Sequence, residues 1–163
     1  MTDRREPGTV PFSSLICFED TVAPLARAAV RAGARLLINQ TNDAWFEGSS
    51  AAVQHMSHCV FRCVENRVPA VRCANLGVTC FIDRTGMIDK MTAGLLQDGT
   101  ALDVECRAGE VRVPADDMRP TFYTRFGDWP FAIPCAAATV TGLGLLGRRW
   151  RRGEWRDAER TEG

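Results

Sequence analysis

Cys17 is the residue in this chain best placed to do chemistry. It stands at the end of an apolar run, Val10 to Ile16, and is followed at once by Phe18, Glu19 and Asp20. Helical spacing begins just beyond, with Val22, Leu25, Ala26, Ala29 and Val30. A strand that stops at a cysteine and turns into a helix lifts the sulfur out of the sheet. It also turns the next backbone N–H groups toward a developing oxyanion. The chemistry such a cysteine serves is nucleophilic attack on a carbonyl. A buried cysteine closing a core strand is the competing structural reading.

The other polar residues that invite a chemical reading lie downstream. Gln40 to Gly48, QTNDAWFEG, is a polar loop carrying Asn42, Trp45 and Phe46. It follows a short apolar stretch, Arg35 to Asn39, and loops at the carboxyl ends of strands are where α/β proteins build sites. Trp45 and Phe46 are expected either as a lid over the core edge or as a wall of a substrate pocket. His55, Cys59 and Cys63 are spaced i, i+4, i+8 along the next helical segment. That spacing alone is a poor metal signature, because the two cysteines fall in the apolar stripe and no fourth ligand pairs with them. No metal and no cofactor is expected. Glu65 is expected to pair with Arg62 or Arg67.

The elements that must position these residues follow from periodicity and punctuation. Val10 to Ile16 and Arg35 to Asn39 read as buried strands joined by a helix over Thr21 to Ala32, with Thr21 as N-cap and Gly33 as C-cap. Strand, helix, strand with short connections is a βαβ unit with parallel strands. Ser49 to Arg67 reads as a long helix. Its apolar stripe is Ala52, Val53, Met56, Cys59, Val60, Cys63 and Val64, with His55, His58, Arg62 and Glu65 opposite. Val68 to Cys73 and Val78 to Asp83 read as strands joined through Asn75-Leu76-Gly77. Arg84-Thr85-Gly86 is a hairpin turn into Met87 to Met91, and Thr100 to Cys106 is a further strand. The sum is a layered α/β sandwich of two helices and about six strands.

Composition bounds the rest. The 163 residues suffice for one domain with a core, and 20 basic against 20 acidic side chains leave no nucleic-acid footprint. Seven cysteines is an odd count at irregular spacing, which does not read as a disulfide framework. Pairs among Cys59, Cys63, Cys73 and Cys80 are conceivable and none is assigned. Met1 to Pro7 is polar and has no apolar signal-peptide region, so residues 1–9 read as a disordered start. The stretch 129–147, WPFAIPCAAATVTGLGLLG, has no charge and is flanked by Trp129 and Trp150, with arginines at 148, 149, 151 and 152 following. Length, aromatic flanks and basic cluster read as a transmembrane helix with a cytoplasmic tail, 148–163, and place residues 1–128 in the periplasm.

These motifs together resemble a known family. ICFED, GARLLINQTNDAWF, the QH pair, ENRVPAVRCANLGVTCFID and the later PTFYTRFGDW occur in the order found in the second half of a nitrilase-superfamily (carbon–nitrogen hydrolase) domain. They are most similar to the carboxyl-terminal portion of bacterial apolipoprotein N-acyltransferases. The resemblance implies a partial nitrilase-like αββα sandwich over 10–128, followed by one transmembrane helix. It implies an inner-membrane enzyme that moves an acyl chain from a phospholipid donor to the N-terminal cysteine amine of an apolipoprotein acceptor, through a thioester on Cys17. Phe18 would offer a backbone N–H to the oxyanion, Glu19 would order the site, and Asn42, Trp45 and His55 would line the pocket.

The same resemblance exposes a departure. The family's catalytic Glu and Lys precede its cysteine. Here Glu6 is the sole Glu before Cys17, and the single lysine, Lys90, lies after it. The chain read alone is therefore expected to be inactive, and a missing amino-terminal half, or a separate chain carrying it, becomes an expected partner. An amidase-like carbon–nitrogen hydrolase fragment, and a non-catalytic membrane-anchored remnant or split subunit, are the alternatives. Half a sandwich should also leave a sheet edge and an apolar sheet face exposed.

Overall fold

A computed structural model of the chain describes residues 9–46, 49–93 (backbone alone for 90–93), 108–115 and 118–152. The expected start at 1–8, the strand at 100–106 and the tail from 153 onward lie outside the described residues.

The chain divides into two compact units, 1–125 and 126–163. The first is a five-stranded sheet in sequence order: β1 (Phe12–Ile16), β2 (Leu36–Thr41), β3 (Ala70–Ala74), β4 (Val78–Ile82) and β5 (Ile88–Ala93). β1, β2 and β3 run parallel; β4 and β5 complete an antiparallel meander. Two helices, α1 (Ala23–Arg31) and α2 (Ala51–Asn66), form the crossovers that parallel pairing requires. The α/β class and the βαβ unit expected from the sequence are both present.

Alternation sorts the sheet into two faces. Leu15, Leu37, Ala70, Val78, Cys80 and Ile82 point to one side and are buried with Met56, Cys59 and Cys63 of α2 and Ala26 of α1. Fully burying a side chain such as Leu37 or Ile82 contributes about 1.5–3 kcal/mol, so this face carries the stability of the sheet. On β1 the residues alternating with Leu15 include Phe12 and Ile16, which are exposed. β1 pairs with β2 alone among the described residues, so the expected open edge is present beside that apolar surface.

The helices start, and face the core, differently from the sequence expectation. A 3-10 turn over Cys17–Thr21 precedes α1, and Thr21 is its last residue rather than the N-cap of α1. Its hydroxyl donates to the Phe18 carbonyl. Gly33 does take the left-handed backbone expected after a helix, at φ 107°. On α2 the buried stripe is Ala52, His55, Met56, Cys59, Arg62, Cys63 and Asn66, while Val53 and Val64 are exposed. The helix is rotated from the expected face because buried ion pairs satisfy His55 and Arg62, so polarity did not force them outward. Arg62 does pair with Glu65, at 2.8 Å.

Residues beyond the sheet are tied to it. In α3 (Phe122–Phe126), Thr121 caps the first turn by accepting from Thr124 N–H. Thr124 donates to Asn66, and Arg27 donates to the carbonyls of Tyr123, Thr124 and Arg125.

The second unit is dominated by α4 (Trp129–Arg151), a helix long and apolar enough to cross a membrane. Its 23 residues span about 34 Å, against a hydrocarbon core of about 30 Å. It runs through Arg151, so the first arginines of the expected tail are helical. Thr139 and Thr141 donate to the carbonyls of Cys135 and Ala137 one turn back, which leaves their hydroxyls satisfied within the helix. Large apolar side chains along it, including Phe131, Ile133, Val140 and Leu143, are exposed.

Candidate active site

The site begins where β1 ends. Cys17 has φ 51°, in the left-handed region, and Arg67 at the end of α2 is the other non-glycine with positive φ among the described residues. Arg67 closes a helix, where that conformation is common. Cys17 closes a strand, where it is strain of about 1–3 kcal/mol that surrounding contacts must hold in place.

Those contacts are specific. The Glu19 carboxylate reaches back to accept the Ile16 N–H at 2.8 Å, one half of a capping box on the 3-10 turn. Asn39 Nδ2, from the middle of β2, donates to the Cys17 carbonyl at 3.1 Å. Asp20, at the far end of the turn, is fully buried beneath the elbow.

Asp20 enters a polar cluster that the apolar patterning does not announce. Arg72, on β3 and fully buried, donates through Nη1 to Asp20 Oδ2 at 2.7 Å and to Asn39 Oδ1 at 2.8 Å. Its Nη2 donates to Asp43 Oδ2 at 2.8 Å. His55 lies between the two acids, Nε2 3.0 Å from Asp20 Oδ1 and Nδ1 2.8 Å from Asp43 Oδ1. Ionised carboxylate oxygens only accept, so each contact holds a proton on the ring nitrogen or on the facing carboxyl. Burial pushes the Asp20 carboxyl above its ordinary range, with His55 and Arg72 pulling it back. Asp43 is further fixed by the Thr41 hydroxyl and by its own N–H on Asn75. Gly77 completes this corner: a Cβ there would stand 2.7 Å from Asp43 Oδ2, and its φ is 120°.

Above the cluster is an aromatic layer. Phe18 stacks on the His55 ring with centroids 4.6 Å apart, and Phe46 meets both rings edge-on at 6.1 and 5.9 Å. Phe18 remains 54% exposed, and Trp45 next in the loop is 81% exposed.

Cys17, Phe18, Glu19 and His55 are thus brought together. His55 sits beneath Phe18 rather than on the surface and is engaged with the two aspartates, whereas Cys59 and Cys63 lie in the apolar core. Asn42 is exposed and accepts from Ala44 N–H, turning its own loop. The six described cysteines are free thiols. Cys80 is pushed up to about 12 by burial, and Cys63 is raised by its hydrogen bond with Cys59 and by burial. Sequence reading missed Asp20, Asn39, Asp43 and Arg72. A charged residue and an amide inside apolar strands were the available signal. A separate cavity of about 470 Å³, lined by Val30, Arg35, Met118 and Thr124 among others, contains none of these residues.

A mixed α/β sheet, parallel over β1 to β3, with a strained cysteine at a strand-to-helix elbow locked from below by buried ion pairs, defines a cysteine-elbow α/β domain. The carbon-nitrogen hydrolase family pattern matches residues 5–102, and the chain belongs to that family. It is 50% identical over 135 residues to an apolipoprotein N-acyltransferase of Geobacter metallireducens, covering 83% of this chain and 24% of that relative. It is 36% identical over 128 residues to apolipoprotein N-acyltransferase 1 of Treponema denticola, covering 78% and 22%. The chain thus spans about a quarter of the length of these relatives. A carbon-nitrogen hydrolase of Helicobacter pylori overlaps 55% of this chain and 41% of its own, with 13% identity and a TM-score of 0.46.

Proposed function

We propose that this chain carries the nucleophile of a membrane N-acyltransferase. Its Cys17 thiolate attacks the ester carbonyl of a phospholipid; the sulfur–carbon bond forms, the ester carbon–oxygen bond breaks and the lysophospholipid alcohol leaves with a proton. The N-terminal cysteine amine of an apolipoprotein then attacks the thioester, an amide forms and the Cys17 thiol is regenerated. The observation that carries this reading is the left-handed Cys17 at the end of β1. Support comes from the relatives' names and from the polar cluster beneath the elbow.

Phe18 N–H is assigned to the oxyanion and Glu19 to holding the turn through Ile16. Phe18, Phe46 and exposed Trp45 form an apolar wall suited to an acyl chain, with Asn42 shaping the loop that carries them. A thiol needs a base or cation nearby to ionise at neutral pH. The acids and the arginine below Cys17 are engaged with one another, so the base and the cation are assigned to sequence outside this chain. α4 is assigned to the inner membrane, with 1–128 periplasmic and the arginines from 148 onward cytoplasmic.

The test is acyl transfer to a lipid-modified apolipoprotein peptide, measured in membranes that carry the natively expressed protein. Cys17→Ala should abolish transfer and leave the protein in the membrane fraction. Undiminished transfer by that variant would overturn the assignment.

A further inference from the structure

We propose that Asn39 is a positioning residue that aims the oxyanion-binding N–H of Phe18, a step that rests on the acyl-transfer reading above. The peptide unit joining Cys17 to Phe18 links the two groups concerned, the Cys17 carbonyl and the Phe18 N–H. That unit is planar and trans, so its C=O and N–H point in opposite directions. Whatever holds the carbonyl at one end therefore fixes the N–H at the other.

The β1–β2 ladder ends at the pairing of Ile16 with Gln40, so it no longer orients the next peptide. The left-handed Cys17 then swings its carbonyl to Asn39 Nδ2, a fully buried amide on the helix-covered face of the sheet. With the carbonyl drawn to that side, Phe18 N–H faces the opposite way, out of the buried cluster. Asn39 is itself immobilised: its Oδ1 accepts from Arg72 Nη1, and Arg72 is held by Asp20 and Asp43. An asparagine inside a strand is unfavourable for the sheet and costly to bury, and here both ends of its amide are engaged. The end that donates reaches the peptide next to the nucleophile.

Asn39→Asp separates this role from packing. The side chain keeps its shape and an oxygen for Arg72, but the ionised carboxylate has no N–H for the Cys17 carbonyl. The natively expressed protein is purified and two reactions of Cys17 are compared, each mapped by mass spectrometry. Acylation by a p-nitrophenyl fatty ester passes through an oxyanion: the sulfur–carbon bond forms, the ester bond breaks and p-nitrophenolate leaves. Alkylation by iodoacetamide is a direct displacement of iodide and forms none. Asn39→Asp should lower the maximal acylation rate at least about tenfold with the ester KM unchanged, and leave alkylation within about twofold. Asn39→Ser, too short to reach the carbonyl, should show the same selective loss and serves if the aspartate variant does not fold. Unchanged acylation, or equal loss of both reactions in the folded variant, overturns the proposal. Absence of ester acylation at Cys17 in the unmodified protein would instead overturn the acyl-transfer reading.

Discussion

Arg72→Met removes the guanidinium that bridges Asp20 and Asp43 and leaves a side chain of similar length to fill the space. Asp20, Asp43 and Arg72 are all essentially inaccessible, and the two Arg72 ion pairs are 2.7 and 2.8 Å long. Breaking a buried pair by deleting one partner costs about 3–5 kcal/mol, because the other charge stays buried without compensation. Here two acids are orphaned, with His55 alone between them, and Asn39 loses its donor. At about 2–4 °C per kcal/mol for a chain of this size, the melting temperature should fall by about 10–15 °C. Circular dichroism on the detergent-solubilised protein measures it. The deficit should narrow on acidification. Asp20 already has a raised folded pKa, from burial first, and loses a counter-charge in the variant. A carboxyl whose folded pKa lies above its unfolded value gains stability as pH falls through the folded pKa. Adding Asp20→Asn and Asp43→Asn to Arg72→Met should recover most of the loss, since the orphaned charges are then gone. A loss under about 1 kcal/mol for Arg72→Met alone would refute the view that this cluster locks the elbow.

Three further outcomes are expected. Gly77→Ala should cost about 1–3 kcal/mol, because its φ of 120° disfavours any side chain and the new Cβ would press on Asp43; an unchanged denaturation midpoint would argue against it. Asp83 is held below its ordinary range, chiefly by the Thr85 hydroxyl and also by the N–H groups of Met87, Thr85 and Gly86. Its contribution to the β4–β5 hairpin should be fully present above the ordinary carboxylate pKa and lost as pH falls through the folded value. Faster amide exchange at Thr85 and Met87 in that window would report it, and flat exchange would contradict it. Iodoacetamide should label Cys17 and exposed Cys73 while sparing Cys59, Cys63 and Cys80, because all three of those sulfurs are covered in the core and burial also raises the Cys63 and Cys80 thiols; labelling of Cys80 ahead of Cys73 would count against the described core.

How much of this was legible in the residues depends on where polarity falls. β1, β2 and the β3–β4–β5 meander were readable from their apolar runs, with Cys17 and Gly86 as breaks, although β2 continues two residues past Asn39 to Thr41. α4 was readable from its uncharged length and its tryptophan and arginine flanks. The face of α2 was not. Helical periodicity counts His55 and Arg62 as outward residues, but Asp20 and Asp43 across the fold pair with His55, and Glu65 one turn along the same helix pairs with Arg62, which makes their burial favourable. Asp20, Asn39, Asp43 and Arg72 come from separate stretches, and nothing in linear spacing brings them to one point. The elbow itself was visible as strand-then-cysteine-then-helix, but the 3-10 turn from Cys17 to Thr21 was not, because it depends on Glu19 reaching back to Ile16.

The central claim is that Cys17 is acylated. The direct measurement is the mass of the Cys17 peptide from protein isolated out of its own membranes, quenched in acid without thiol reductant. The account predicts a fatty-acyl adduct on Cys17, lost on treatment with neutral hydroxylamine and lost when an apolipoprotein peptide with a free N-terminal amine is added first. An unmodified Cys17 in protein that is actively transferring acyl chains, or an adduct on Cys73 in its place, would contradict it.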